Sequence, residues 1–398
     1  MPWPPVEKGY IVPLSRIGMV VVMHMQKRTK QALQFSGAIL AMASIVTVTL
    51  GAVPRETLLD WGRKAALFSA GIQQPEGGAV ALSERLERQP AQGQEKPGQT
   101  GASSSGSATT QPPPSAAEQD PHVDVMVPSI DPPPNDGSGG KIVEQLLSIG
   151  SDFVDGVAIR NKSGKSIDVA AQLAIKPGIT IKENGEPQVL IMHTHTTEAY
   201  MKYDAGYYVK GDGGRTQDNT FNVVAAGNVM AAQLEAAGIR VIHDVTLHDY
   251  PKYTGAYDRS AATVEKILKE HPSIQVVIDL HRDGIMLNSI DKVKPTAIIN
   301  GRKAAQVMII TGVVSTDALP HPDWQENLRL TLRLQQALHT NYEGLVRPLS
   351  LTSSRYNQHL SKGAMLIEMG SEANTIEEAV YSAQLVGKTL AQVLKTLE

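Results

Sequence analysis

The chain has 398 residues, enough for one large domain with appendages, and its 24 prolines and 34 glycines beside few aromatics point to at least one unfolded tract. A formal net charge of −3 gives no sign of a nucleic-acid partner. The absence of cysteine excludes a thiol nucleophile, a disulfide framework and a cysteine-ligated metal.

Residues Met1 to Met25 carry no pattern beyond early prolines, and Met23 or Met25 offers an alternative start. Lys27-Arg28-Thr29-Lys30 is basic, and Phe35 to Val53 carries no charge. As a helix that run spans about 28 Å, close to the ~30 Å hydrocarbon core. A cleaved signal peptide has a shorter apolar stretch, so the length favours an uncleaved anchor over residues 35–54. With the basic residues before the span, residues 1–34 are expected in the cytoplasm and everything after the span outside. Glu56 to Ala70, with Leu58, Leu59 and Trp61, reads as an amphipathic juxtamembrane helix within residues 55–72. Residues 73–140 are dominated by Gly, Pro, Ser and Gln and cannot bury enough apolar surface to fold. They form a disordered linker of roughly 45 Å random-coil reach. Residues 141–398 are expected to be the extracytoplasmic catalytic domain, whose natural substrate on that side of a bacterial membrane is wall polymer.

Within that domain Ile142 to Ile149 is read as a short helix and Val157 to Gly164 as a strand entering a turn. Ile167 to Ala171 starts a helix or a short strand, and Asn184-Gly185 marks a turn. Val189 to Met192 is a buried strand that stops on His193-Thr194-His195-Thr196-Thr197-Glu198. A polar, glycine-rich loop runs from Tyr200 to Asn219. A helix from Thr220 to Ala237 is expected to be capped by Asn219-Thr220 and stopped by Gly238. Then come a strand at Arg240 to Ile242, a helix at Tyr257 to Glu270, and a strand at Gln275 to Leu280 that stops on His281-Arg282-Asp283. Ile298-Ile299-Asn300-Gly301 turns into a strand at Ala305 to Val314, and Trp324 to His339 is a helix. Ala364 to Met369 is a last strand with Glu368 inside it, followed by a helix at Thr375 to Leu397 capped by Asn374. Strand and helix alternate, which predicts an α/β domain with a mainly parallel or mixed sheet flanked by helices.

Open α/β sheets present functional side chains at the carboxyl ends of their strands. Two strands here end on histidines and a third holds a lone glutamate, a set that suits a catalytic zinc with its general base. The expected ligands are His193, Glu198 and His281. His195 is an alternative ligand or orients one. Asp218, at the next helix start, is a second candidate for the carboxylate. Glu368 is expected to be the base, its proton affinity raised by burial. Arg282 either forks onto a substrate carboxylate or pairs with Glu198 or Asp283. His243, His248, His271, His321 and His339 are expected on the surface or in loops.

Four separated motifs occur in order: His193-Thr194-His195-Thr196-Thr197-Glu198; Asp279-Leu280-His281-Arg282-Asp283; Tyr356-Asn357-Gln358; and Leu366-Ile367-Glu368-Met369-Gly370 followed by Asn374-Thr375-Ile376-Glu377-Glu378-Ala379. From about Val157 to the carboxyl end the chain resembles the stage II sporulation protein P family. The resemblance implies a wall hydrolase of endospore formers, related in fold to zinc-dependent N-acetylmuramoyl-L-alanine amidases. It implies cleavage of the amide between glycan and stem peptide, and of peptide cross-links, during engulfment of the forespore. It further implies anchoring in the mother-cell septal membrane and sporulation proteins D and M as partners. His193 and His281 match the family's essential histidines, and Glu368 the glutamate of the related amidases. Those amidases place their ligand glutamate at a helix start, where this chain has Asp218-Asn219, so Glu198 and Asp218 both stand as the third ligand. A different metallohydrolase, suggested by Asp279-Leu280-His281 or His193-Thr194-His195 alone, and a non-catalytic wall-binding scaffold are the rival readings.

Overall fold

The computed structural model describes residues 127–397, apart from 129, 148–152, 155 and 183. The expected cytoplasmic segment, anchor, juxtamembrane helix and most of the linker lie outside the described residues. Among the described residues no helix is long and apolar enough to cross a membrane.

The elements are, in chain order, β1 (Ile142–Gln145), β2 (Phe153–Val154), β3 (Val157–Asn161), α1 (Val169–Leu173), β4 (Val189–Met192), α2 (Val223–Ala236), β5 (Val241–His243), α3 (Ala256–Glu270), β6 (Val276–Asp283), β7 (Lys292–Ile299), β8 (Arg302–Ala305), β9 (Val307–Gly312), α4 (Trp324–Asn341), β10 (Leu349–Thr352), a 3₁₀ turn (Gln358–Leu360), β11 (Gly363–Ser371) and α5 (Ile376–Lys395). One sheet has the order β2-β3-β10-β9-β11-β6-β4-β5. It contains two parallel blocks, β3-β10-β9 and β11-β6-β4-β5, joined by the antiparallel contact of β9 with β11. The sheet is therefore mixed.

All four residues of β4 are buried, as its unbroken apolar run requires of a central strand. Val189 and Ile191 enter the main core with α2, α4 and α5, while Leu190 and Met192 pack with Val264 of α3, Val277 and Ala364. The sheet is thus covered on both faces. α2 begins at Val223, three residues after the expected start, and is capped by Asn222, whose side chain accepts from the Val224 N–H. α5 is capped by Thr375 rather than Asn374, in a reciprocal capping box with Glu378.

A smaller sheet, β1-β7-β8, lies beside it. The stretch expected to begin a helix at Ile142 is instead β1, paired in parallel with β7. Its β-branched Ile142-Val143 suits a strand, and Glu144 reaches Lys294 and Lys303 at 3.2 and 2.7 Å. The Asn300-Gly301 turn joins β7 to β8 with φ of 50° and 77°, the double positive φ a tight hairpin needs. Attachment to the domain starts before residue 141. The Tyr207 hydroxyl donates to the Pro133 carbonyl at 2.6 Å, and the Tyr208 N–H to that of Gly140 at 3.0 Å.

Candidate active site at one edge of the sheet

β4, β6 and β11 are parallel, so their carboxyl ends share an edge. Register sets Met192 beside Asp279, and His281 beside Glu368. Strand alternation places Ile278 and Leu280 in the main core and turns Asp279 and His281 to the opposite face. Met365, Ile367 and Met369 likewise enter the main core, which leaves Glu368 on the His281 face.

After His193 the chain turns. The Glu198 N–H donates to the His195 carbonyl at 3.0 Å, and Thr194 is pinned to Asp279 through its N–H (2.8 Å) and hydroxyl (2.7 Å). The turn brings His195 edge-on to His281, ring centres 5.3 Å apart, and aims Glu198 at the same ring. Glu198 Oε2 lies 3.3 Å from His281 Nδ1 and accepts the Arg282 N–H at 3.1 Å. The other His281 nitrogen, Nε2, is 2.8 Å from Asp279 Oδ1, off the donor line, so the contact is an ion pair and not a hydrogen bond. At the mouth, Tyr253 stacks on His195 at 4.5 Å with 10° between planes. The Arg215 guanidinium lies 4.7 Å from the centre of the Tyr253 ring, is held by Asp249, and reaches Glu198 Oε1 at 3.7 Å.

Burial dominates the electrostatics. It opposes the charge on His281, but Asp279 and Glu198 on either side raise that ring well above its ordinary value. Burial would raise Glu198, yet the charge and hydrogen bond of His281 and then Arg282 hold it below the usual carboxylate range. Glu368 is pushed well above its ordinary value, first by burial and then by the negative charge of Asp283. Burial lowers His195 to about 4.

Three buried polar atoms around this edge meet no hydrogen-bond partner among the described residues: His195 Nδ1, Glu198 Oε1 and Glu368 Oε2. Orphaned polar atoms are costly and are expected to have an outside partner. The donor set, two imidazoles and a carboxylate, is that of hydrolytic zinc. The 3.3 Å between Glu198 Oε2 and His281 Nδ1 matches the ~3.3 Å edge of a tetrahedron with ~2.0–2.1 Å ligand bonds. His281 has a carboxylate beyond its other nitrogen, as zinc-ligating histidines usually do. Among the described residues the three side chains whose ligating atoms all lie within 4.8 Å of one another are Glu144, Asp204 and Glu378; the atoms of His195, Glu198 and His281 are spread wider than that. Lys294 Nζ already occupies the acidic cluster, at 3.2, 2.7 and 2.6 Å from the three carboxylates.

Residues 79–394 match the family model for stage II sporulation protein P. The chain belongs to the stage II sporulation protein P family. It is 27% identical over 216 residues to the stage II sporulation protein P of Bacillus subtilis (strain 168), covering 52% of this chain. The chain spans about half, 50%, of that relative's length. Solved structures it is similar to include the N-acetylmuramoyl-L-alanine amidase AmiC2 of Nostoc punctiforme, with 11% identity, 53% of this chain and 97% of that chain covered, and a TM-score of 0.32. Another is the N-acetylmuramoyl-L-alanine amidase from Clostridium difficile 630, with 13% identity, 54% and 97% covered, and a TM-score of 0.32. These likenesses are distant, and the site is read from its own geometry.

That geometry redistributes the residues singled out in this family member. His281, Glu198 and Glu368 come together. His195, expected as an alternative, joins them, and His193 does not. His193 follows Val189 and Ile191 onto the α2 face, where its Nδ1 donates to the Leu280 carbonyl at 2.8 Å and its Nε2 lies 2.9 Å from His243 Nε2. Burial and His243 lower it to about 3. Asp218 is exposed and caps a turn by accepting the Thr220 N–H at 3.0 Å. Arg282 offers no fork to a substrate. Its side chain is buried and donates to the carbonyls of Ala199 (3.1 Å) and Gly214 (2.8 Å), and only its backbone N–H meets Glu198. Of the histidines expected outside, His248 and His321 are buried, and His248 Nδ1 donates to the His193 carbonyl at 2.8 Å. Sequence reasoning missed Asp279 as the orienting partner of His281 and His243 as the partner of His193. Both end or lie in apolar strands, a signal shared with the residues it found.

Proposed function

We propose that this chain is a zinc-dependent peptidoglycan hydrolase that cleaves the amide between N-acetylmuramic acid and L-alanine, and peptide cross-links as well. The observation that carries the reading is the gathering of His195, Glu198, His281 and Glu368 at one buried edge, where His195 Nδ1 and Glu368 Oε2 meet no hydrogen-bond partner among the described residues. His195, Glu198 and His281 would hold the ion. Zinc, when bound, polarises the scissile carbonyl and makes water a nucleophile near neutral pH.

The rest is the work of the chain. Asp279 fixes the orientation of His281, and Asp279 is fixed in turn by the N–H and hydroxyl of Thr194. The Arg282 N–H keeps Glu198 turned to the site. Burial and the charge of Asp283 give Glu368 the raised proton affinity that a base for water and an acid for a leaving amine both need. Glu368 takes the proton of the attacking water and returns it to the amide nitrogen as the C–N bond breaks. Tyr253 and Arg215 close the mouth over His195 and limit water entry.

We place this activity in forespore engulfment, on a membrane-anchored protein acting with sporulation proteins D and M. The family membership and the uncharged run at Phe35 to Val53 support that placement. The test is digestion of purified peptidoglycan by the full chain with zinc supplied, read by mass spectrometry. Stem peptides with a free L-alanine amine are the expected product, with one zinc per chain by elemental analysis. Intact glycan–peptide linkages would leave the wall-binding scaffold as the better reading.

A further inference from the structure

Arg347 lies beside the site and has no part in the mechanism above. It is 5% exposed. Its backbone is held on both sides: the N–H donates to the Val307 carbonyl at 2.8 Å, and the carbonyl accepts from Gln335 Nε2 at 2.8 Å. Val307 pairs with Met369, next to Glu368, so Arg347 sits at the edge where β6 and β11 end. Its Nη1 meets Asp283 Oδ2 at 2.9 Å, two residues beyond His281. Its Nε and Nη2 are buried and meet no hydrogen-bond partner among the described residues.

Those two nitrogens form the edge of a guanidinium whose parallel N–H bonds fit the two oxygens of a carboxylate. An ion pair serving the fold alone would use that edge, since buried donors without acceptors are destabilising. Asp283 takes the remaining nitrogen and fixes the plane of the group, which leaves the fork rigid and without an acceptor. Arg160, close enough for its charge to be felt, adds a second cation to the same region. Within peptidoglycan the groups that answer this chemistry are the free carboxylates of the stem peptide. The nearest to the scissile amide is the α-carboxylate of the second stem residue, a glutamate linked through its side chain.

We propose that the Nε–Nη2 edge of Arg347 binds a stem-peptide carboxylate and so selects substrates in which that group is not amidated. The proposal rests on the peptidoglycan-amidase reading of the site.

The experiment compares two muramoyl peptides, identical except that the second stem residue carries a carboxylate or a carboxamide. The full chain with zinc supplied is expected to cleave the carboxylate form with a kcat/KM roughly 10- to 100-fold higher. Arg347→Gln should bring the ratio of the two kcat/KM values most of the way to one, whatever happens to the rates themselves, and Arg347→Lys should recover part of the ratio. Equal rates of wild type on the two substrates, or an equal loss on both in Arg347→Gln, would overturn the assignment. Should Arg347→Gln fail to fold, the wild-type comparison decides alone. Binding of the two released peptides, measured by calorimetry, separates the claims. Tighter binding of the carboxylate form without cleavage keeps Arg347 as an anchor and removes the amidase reading; no difference in binding removes the anchor.

Discussion

Replacing Glu368 by glutamine should stabilise the metal-free protein near neutral pH while abolishing catalysis. The carboxyl is buried and its proton affinity is raised above the ordinary glutamate value of 4.5. The sign follows from linkage. A group whose folded pKa exceeds its unfolded one contributes its full stability below the unfolded value and loses it as pH rises through the folded value. From 4.5 to pH 7 is 2.5 units, and each unit up to the folded pKa costs about 1.4 kcal/mol, so wild type forfeits at most about 3.5 kcal/mol at pH 7. Glutamine has the same shape and no charge to bury, and fitting its amide against His281 returns some of that gain. The expected net stabilisation is about 1–3 kcal/mol at pH 7, shrinking toward zero at pH 4. Urea unfolding of both proteins in chelator, repeated at pH 4, 5.5 and 7, measures it. Peptidoglycan release by the zinc-loaded variant should fall by at least about 100-fold. A variant less stable than wild type at pH 7, or a stability difference that does not change with pH, would show that Glu368 is an ordinary ion-paired carboxylate. That result would remove it as the base.

His195→Ala should lose zinc affinity by at least about tenfold and His193→Ala should keep it, checked by competition with a chromophoric chelator; the reverse result would restore His193 as the ligand. Gly227→Ala should destabilise by about 1–2 kcal/mol in urea despite the better helix former, because its Cβ would lie 2.5 Å from His243 Nε2 and 3.1 Å from His193 Cε1. Glu378→Ala removes both the capping box of α5 and a 2.6 Å partner of buried Lys294, and should cost about 2–4 kcal/mol by thermal or urea unfolding.

The parts of the site that were legible in the sequence are those where one strand delivers one residue. The apolar runs before His193 and His281, and the carboxylate inside Leu366-Ile367-Glu368-Met369, announce buried strands that carry polar side chains to one edge, although His193 itself turns into the core and bonds the Leu280 carbonyl. What the sequence could not show depends on pairing and on turns. Period-two alternation puts His193 and His195 on one face of an extended chain. The structure separates them because Thr194 is anchored to Asp279, 85 residues away, and the chain turns there. β7 was hidden because Lys292 and Lys294 interrupt its apolar pattern; both are buried, and they are sustained by carboxylates from distant segments. The antiparallel placement of β9 against β11 has no local signature either. It is what carries Arg347, an unremarkable residue before Pro348 in sequence, to within reach of Glu368.

Two charged clusters in this fold show how a site differs from a structural network. Around Lys294, three carboxylates close on one ammonium at 2.6 to 3.2 Å and tie β1, the loop at Asp204 and α5 to β7. Lys303 adds a second ammonium, 2.7 Å from Glu144 and 3.0 Å from Asp204, so every carboxylate of the cluster touches a cation. At the edge of β4, β6 and β11 the charges are as deeply buried and the account does not close. His281 is flanked by two carboxylates, yet Glu198, Glu368, His195 and Arg347 each retain a polar atom with no hydrogen bond among the described residues. Neighbours fix three of these side chains from one direction: the Arg282 N–H for Glu198, Asp283 for Arg347, Tyr253 for His195. Groups held from one side and left unpartnered on the other are destabilising in the fold alone. They become favourable when an ion and a substrate supply the missing partners, so the same imbalance that lowers the stability of the empty protein is what directs binding to this edge.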